Sequence, residues 1–269
     1  MLRTSLLCVL ALGGCVNDGP PEYVPEEPGP PSQMIRTRTM AGELPVVGID
    51  SDRAGGLWIA YAKAMGGYYA PDDMRLVHVD AHGTKTTEFK FSDTYADVLG
   101  IAFDGHAVWI NVTGATGTDG AYVRAIDTTT GLEVARHVVE SGISDLEVDD
   151  ARGELLLSSV YDRVIALDLA TGAESWREQL RATWVGYQGV QSAIALTDEG
   201  QMWIASRFWA VLELRDAARV PIATYTENVT DDHHRTDYQL FLAWDPTTKQ
   251  VIASAENQIS WLSIRGGTP

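Results

Sequence analysis

Cysteine is almost absent from this sequence. The 269 residues contain two cysteines, Cys8 and Cys15, and both lie in the first fifteen positions. The rest of the chain can therefore form no disulfide between its own residues and carries no thiolate nucleophile. This absence excludes cysteine catalysis and cysteine–histidine zinc patterns after residue 15. Stability must come from the packed core.

Positive charge is also scarce. Lysine and arginine total 20 residues against 37 aspartates and glutamates, so the formal net charge is −17. No cluster of basic residues offsets this balance. Such a surface repels the phosphates of nucleic acids and anionic lipid head groups. Nucleic acid is therefore not expected as a partner.

The N-terminus has an apolar run that is too short to span a bilayer. In MLRTSLLCVLALGGC, a single basic residue, Arg3, precedes the apolar stretch 6–12, which ends in Gly13-Gly14-Cys15. The stretch resembles a bacterial lipoprotein signal peptide with its lipobox. The resemblance implies cleavage before Cys15, acylation of Cys15 and anchoring in an envelope membrane. The alternative is an ordinary secretory signal in which Cys15 has no role.

Three segments follow from this interpretation. Residues 1–14 are predicted to be the signal peptide and 15–32 a lipidated cysteine with a tether, because 16–32 contains six of the eleven prolines. Residues 33–269 are predicted to form the folded domain. The residue after Cys15 is Val16 rather than aspartate, which favours the outer membrane by the sorting rule of enteric bacteria and leaves the side of that membrane open.

Helical periodicity is missing from the folded domain, and a strand repeat takes its place. Trp58, Trp109, Leu156, Trp203 and Ile252 recur at intervals of 51, 47, 47 and 49 residues. They lie in similar hydrophobic runs: GGLWIAYA (55–62), HAVWINVT (106–113), GELLLSSV (153–160), GQMWIASR (200–207) and KQVIASAE (249–256). A further predicted strand precedes and another follows each run.

Several units continue through a turn into a fourth strand. The clearest are AIDTTTGLEVARHVV (125–139) and ALDLATGAESWREQL (166–180), where aspartate can cap the turn and Gly131 and Gly172 can supply a positive φ. Four-stranded antiparallel units repeated at this spacing indicate an all-β, five-bladed β-propeller. The last unit lacks a fourth strand, which QMIRTRTM (33–40) can supply. A β-sandwich would not explain the regular interval.

The repeats resemble two types of propeller. DSDRAGGLWIA (50–60) and TDEGQMWIAS (197–206) resemble NHL-like, regulator-type and lyase-type repeats, and RVIALDLATGAESWREQL (163–180) resembles quinoprotein-like, PQQ-type repeats. The resemblance implies the fold and not a function. Only Trp176 matches the quinoprotein tryptophan, so PQQ is not expected as a cofactor. The other repeat tryptophans are expected to pack in the core or between blades.

TENVTDDHHRTD (226–237) is predicted to be the longest loop between blades, on the face that carries the long loops. His233 and His234 are adjacent, and neighbouring side chains on an extended segment point in opposite directions. They are therefore weak metal-ligand candidates, together with Asp237. A zinc site would need one of these histidines and ligands from other blades. A solvated acidic loop is the favoured alternative.

Aromatic and polar residues of the same face suit glycan or peptide recognition. The ligand-binding candidates are Tyr68, Tyr69, Asp72, Asp73, Tyr95, Asp97, Trp184, Tyr187, Gln188, Arg207, Phe208, Trp209, His233 and His234. The leading hypothesis is a non-catalytic module or scaffold that binds an envelope protein or glycan. The alternative is a metal-dependent hydrolase or lyase of a glycan or lactone, with its site at the channel mouth. No cofactor is expected, although a divalent metal is compatible with the alternative.

Overall fold

A computed structural model describes residues 33–41, 45–65, 68–91, 96–114, 121–161, 163–180, 192–206, 211–226, 240–255 and 258–265. The chain divides into two compact units, residues 1–31 and 32–269, and all the described residues lie in the second. Their regular secondary structure is β-strand throughout. None of them belongs to a helix that could cross a membrane.

Twenty strands follow one another along the described part of the chain. They are β1 (Gln33–Ala41), β2 (Val46–Ser51), β3 (Leu57–Met65), β4 (Tyr68–Val79), β5 (Lys85–Phe91), β6 (Ala96–Phe103), β7 (Ala107–Gly114), β8 (Ala121–Asp127), β9 (Glu133–Val139), β10 (Ile143–Asp149), β11 (Glu154–Ser159), β12 (Arg163–Asp168), β13 (Glu174–Gln179), β14 (Ser192–Leu196), β15 (Met202–Ser206), β16 (Val211–Arg215), β17 (Pro221–Thr226), β18 (Leu240–Asp245), β19 (Gln250–Ala255) and β20 (Gln258–Arg265).

The strands form five antiparallel sheets of four strands each, which confirms the predicted five-bladed propeller. Blades 1 to 4 use consecutive strands, from β2–β5 to β14–β17. Blade 5 has the order β18-β19-β20-β1, so its outer strand comes from the N-terminal side of the domain. The inner strands β2, β6, β10, β14 and β18 each contact the next, and β18 contacts β2. They surround the central channel.

The turns between outer strands have the geometry that their residues predict. Gly131 and Gly172 both have φ of 71°. The Oδ1 atom of Asp127 accepts hydrogen bonds from the backbone N–H groups of Thr129 (3.0 Å) and Thr130 (2.7 Å), and Asp168 caps the next blade's turn in the same way. These aspartates satisfy donors that the tight turn leaves unpaired.

Hydrophobic clusters lie between neighbouring blades. Trp58 packs with residues of blades 1 and 2, Trp109 with those of blades 2 and 3, and Trp203 with those of blades 4 and 5. One further cluster joins blades 3 and 4, and another joins blades 5 and 1. The repeated tryptophans are at most 5% exposed, which confirms that they pack in the core.

The hairpin between β3 and β4 is longer than its sequence suggests. AKAMGGYYAPDD (62–73) contains two adjacent glycines that favour a loop, but β3 and β4 both continue into this segment, with Lys63 opposite Ala70 and Met65 opposite Tyr68. Antiparallel pairing satisfies backbone groups that an open loop would leave to water. This hairpin therefore extends beyond the sheet on the face that carries the long loops.

A candidate binding cavity at the mouth of the channel

The inner strands approach one another so closely that two positions accept only glycine. A Cβ atom on Gly48 would lie 2.9 Å from the backbone nitrogen of Ile101. A Cβ atom on Gly100 would lie 2.5 Å from the Cα of Asp145, and Gly100 also has a φ of +80°. The channel of this five-bladed ring is therefore narrow, and side chains that enter it lose contact with water.

Five carboxyl side chains lie buried on the described inner strands, and three of them accept a backbone N–H from a neighbouring blade. Asp50 of β2 and Glu147 of β10 are each 6% exposed, and Asp145 of β10 is 0% exposed. Each accepts a backbone N–H from another blade. Asp50 accepts from Phe103 at 2.5 Å, Glu147 from Leu196 at 3.1 Å and Asp145 from Ile194 at 3.1 Å. The carboxyls therefore link neighbouring inner strands across blade boundaries.

Burial dominates the electrostatics of these carboxyls. Loss of water raises the pKa of Asp50 to about 7, against the lowering effect of its two backbone hydrogen bonds. Burial also raises the pKa of Glu147 well above its ordinary value, and the nearby Asp50 carboxylate raises it further. The Arg53 guanidinium favours the ionised form of both groups. Asp50 and Glu147 thus titrate as interacting neighbours.

A cavity of about 300 Å³ opens beside Asp50 and Glu147. It lies at the end of the inner strands that carries the tight turns, opposite the end where the β3–β4 hairpin projects. Its walls combine acidic side chains with Trp244 and aliphatic groups. The lining residues are Asp50, Ser51, Arg53, Glu147, Val148, Asp149, Asp150, Ala151, Leu196, Thr197, Asp198, Gly200, Trp244 and Pro246.

The acids at the rim of the cavity have cationic partners. Arg53 pairs with Asp150, Arg152 pairs with Asp149 at 2.7 Å, and Lys249 pairs with Asp198. The indole N–H of Trp244 also donates to Asp198 at 3.0 Å, which fixes the ring in the wall. Within the described part of the chain, Asp50 and Glu147 have no such ion pair. They are the carboxyls available to a cationic ligand.

The sequence did not indicate Asp50, Asp145 and Glu147 as site residues. The available signal was an acidic residue at alternate positions of apolar inner strands, in VVGID and ISDLEVD. Alternation places such residues on one face of a strand. It does not reveal that this face meets the channel.

Most of the sequence-predicted site residues lie outside the described residues, and the backbones of the others lie towards the end of the strands opposite the cavity. The backbones of Tyr68, Tyr69, Asp72 and Asp73 lie in β4 and that of Asp97 lies in β6. Tyr95, Trp184, Tyr187, Gln188, Arg207, Phe208, Trp209, His233, His234, Asp237 and Cys15 lie outside the described ranges. Among the residues that are described, no group of three His, Cys, Asp or Glu side chains could hold a metal ion.

Comparison with known proteins identifies relatives of the fold only. No protein-family model and no curated protein matches the sequence. The crystal structure of Myxococcus xanthus glutaminyl cyclase matches with a TM-score of 0.63 and 11% identity, over 87% of this chain and 98% of that chain. A mitotic checkpoint complex structure (TM-score 0.48, 14% identity, 94% of this chain and 69% of that chain) also matches. The crystal structure of Chaetomium thermophilum Raptor also matches, with a TM-score of 0.46 and 13% identity, over 81% of this chain and 20% of that chain. The likeness to the cyclase supports the β-propeller fold and carries no activity with it.

Proposed function

We propose that this protein is an envelope lipoprotein, anchored through Cys15, whose propeller is a non-catalytic binding module. The cavity at the channel mouth receives a cationic group of an envelope protein or glycan. One observation carries the proposal. Asp50 and Glu147 face a cavity of about 300 Å³ and have no ion-pair partner among the described residues.

The chemistry of the cavity suits an ammonium or guanidinium group. Buried carboxylates form stronger hydrogen bonds with charged donors than exposed ones do, because water competes less. The ring of Trp244 adds an aromatic wall that can attract a cation. The volume is at the lower end of the range for ligand pockets, which fits one basic side chain or one amino sugar rather than a whole partner. The candidate residues of the loop-rich face belong to the opposite end of the strands and remain a separate prediction.

Calorimetric titration of the mature chain carrying Cys15→Ser tests this function. Nα-acetylarginine amide, whose guanidinium stays charged at pH 8, is the cationic probe, and Nα-acetylcitrulline amide is its neutral counterpart. We expect a cationic probe to bind at pH 8, above the Asp50 pKa of about 7, and its neutral counterpart not to bind. Glu147→Gln should weaken binding by roughly tenfold or more, because a hydrogen bond to a charged group contributes about 1.5–3 kcal/mol.

Glu88→Gln is the matched control for that titration. Glu88 lies on the outer strand β5, and its substitution makes the same chemical change away from the cavity. Equal binding of the cationic and neutral probes, or an equal loss in Glu147→Gln and Glu88→Gln, would contradict a cation site in the cavity.

A second candidate is an enzyme that uses the same carboxyls as general acid and base. The pKa of Asp50, at about 7, is suited to proton transfer at neutral pH. The substrate classes are those proposed for a metal-dependent hydrolase or lyase, a glycan or lactone. Turnover of such a probe that is lost in Asp50→Asn would assign this function instead.

A further inference from the structure

Arg53 supplies a positive charge to an otherwise acidic cavity. It lies in the turn between β2 and β3, and it is the basic residue among the described residues that line the cavity. Its side chain is 40% exposed, whereas the carboxyls of Asp50 and Glu147 are buried. The acids that line the same cavity are Asp50, Glu147, Asp149, Asp150 and Asp198.

The guanidinium of Arg53 connects three blades at the mouth of the channel. From blade 1, its Nη2 atom donates to the carbonyl oxygen of Phe103 in blade 2 at 2.8 Å, and its Nη1 atom forms an ion pair with Asp150 of blade 3. The Asp150 side chain is 45% exposed. Ion pairs that water reaches contribute little to stability. This contact can therefore open without a large loss of folding free energy.

The backbone of Arg53 has a conformation that three other inner turns give to glycine. Its φ is 64°, and the positive-φ residues of the β6–β7, β10–β11 and β14–β15 turns are Gly105, Gly153 and Gly200. A side chain at positive φ strains the backbone, so a non-glycine residue there indicates a role for its side chain. The side chain at this turn carries its charge into the cavity.

The charge of Arg53 acts on the two carboxyls that the proposed ligand needs. Burial lowers the pKa of Arg53, but the hydrogen bond to Asp150 and the charges of Asp150, Asp50 and Glu147 raise it above its ordinary value. In return, Arg53 favours the ionised forms of Asp50 and Glu147. A cation that enters the cavity meets this positive charge beside the carboxylates that attract it.

We propose that Arg53 is an internal competitor of the cationic ligand and thereby determines the affinity and charge specificity of the cavity. The chain's own guanidinium lies beside Asp50 and Glu147, and a cationic group of a partner binds against its repulsion. This inference rests on the cation site of the proposed function and adds the residue that limits binding there.

Titration of Nα-acetylarginine amide into variants of the mature chain carrying Cys15→Ser tests this role. Arg53→Met removes the charge, Arg53→Lys keeps it, and Lys249→Met is the matched control. Lys249 also has a positive φ, of 56°, in the β18–β19 turn, and it pairs with the rim acid Asp198 but does not line the cavity. Each methionine variant therefore removes one cation and one exposed ion pair.

We expect Arg53→Met to bind the probe roughly tenfold more tightly than the parent chain at pH 9, because two positive charges in a cavity of low effective dielectric repel strongly. Arg53→Lys and Lys249→Met should bind as the parent does. The pH at which binding is half-maximal should also rise in Arg53→Met, since Asp50 and Glu147 lose a charge that favours their ionised forms. A purely structural role of Arg53 would not move this midpoint. Arg53→Gly, which suits the positive φ, removes the same charge and replaces the methionine variant if that variant does not fold.

Unchanged or weaker binding by Arg53→Met at pH 9, or an equal gain in Lys249→Met, would overturn the competitor role and leave the cation site in place. Binding by Arg53→Met and not by the parent chain would support the competitor, since loss of the internal charge would then open the site. Absence of binding in every chain, Arg53→Met included, would overturn the proposed cation site and the role of Arg53 with it.

Discussion

Aspartates at the channel and at the rim of the propeller experience opposite environments. Asp50 in the channel accepts backbone hydrogen bonds from Ser51 and Phe103, and Asp168 in an outer turn accepts a backbone N–H and a hydroxyl from Thr171. The hydrogen bonds to Thr171 lower the pKa of Asp168. Burial raises the pKa of Asp50 despite similar hydrogen bonds. Access to water, more than the hydrogen-bond pattern, therefore decides the direction of the shift.

The two regions also use glycine differently. Gly100 and Gly105 both have positive φ, at 80° and 93°. Around Gly100 the next inner strand leaves no room for a Cβ atom, whereas a Cβ atom on Gly105 would meet nothing within 4 Å. The channel thus constrains both backbone shape and side-chain volume, and the turn constrains backbone shape alone.

The largest effect is expected from removing the charge of Asp50. The pKa of Asp50 is about 7 in the folded protein and 3.8 ordinarily, so the folded state binds the proton of this carboxyl more tightly than the unfolded state does. The stability that comes from this proton binding is fully present below the unfolded pKa and is lost as pH rises through 7. The loss amounts to up to about 4 kcal/mol between pH 4 and 8. Urea unfolding across this range should therefore show that Asp50→Asn stability, relative to wild type, increases with pH. Parallel pH profiles for the two proteins would contradict burial of a titrating carboxyl.

A somewhat smaller effect is expected at Gly100. Gly100→Ala should lower the free energy of unfolding by about 3 kcal/mol or more, since overpacking adds to the strain of a positive φ. Gly105→Ala should cost about 1 kcal/mol, from the backbone alone. Chemical denaturation of both variants measures the difference. Similar losses would mean that the inner strands can separate to admit a methyl group.

The smallest effect is expected at Asp168, in the outer turn between β12 and β13. The lowered pKa of Asp168 means that its contribution is present above the unfolded pKa and is lost as pH falls through the folded value. Asp168→Asn should therefore cost a little stability at pH 7 and less at pH 3, which is opposite in direction to Asp50→Asn. Thermal unfolding at the two pH values checks the sign. A profile with the same direction as that of Asp50→Asn would break the contrast between channel and rim.

Much of the fold could be predicted because its signals are local. The repeat interval, the strand alternation and the turn residues around Gly131 and Gly172 each depend on a few neighbouring positions. The β3–β4 hairpin was not predicted because Gly66 and Gly67, which lie between the two strands in the sequence, favour a loop interpretation. The site was predicted on the loop-rich face because long polar loops are visible in a sequence, whereas a narrow channel is not.

The sequence by itself determined the number of blades, the positions of their strands and the packing of Trp58, Trp109 and Trp203. These follow from periodicity and from the burial of large apolar side chains. Only the tertiary structure decided that Asp50 and Glu147, 97 residues apart in the sequence, share one cavity. Their shifted pKa values come from the exclusion of water by other blades, which depends on how closely the inner strands meet around the channel and not on neighbours in the chain.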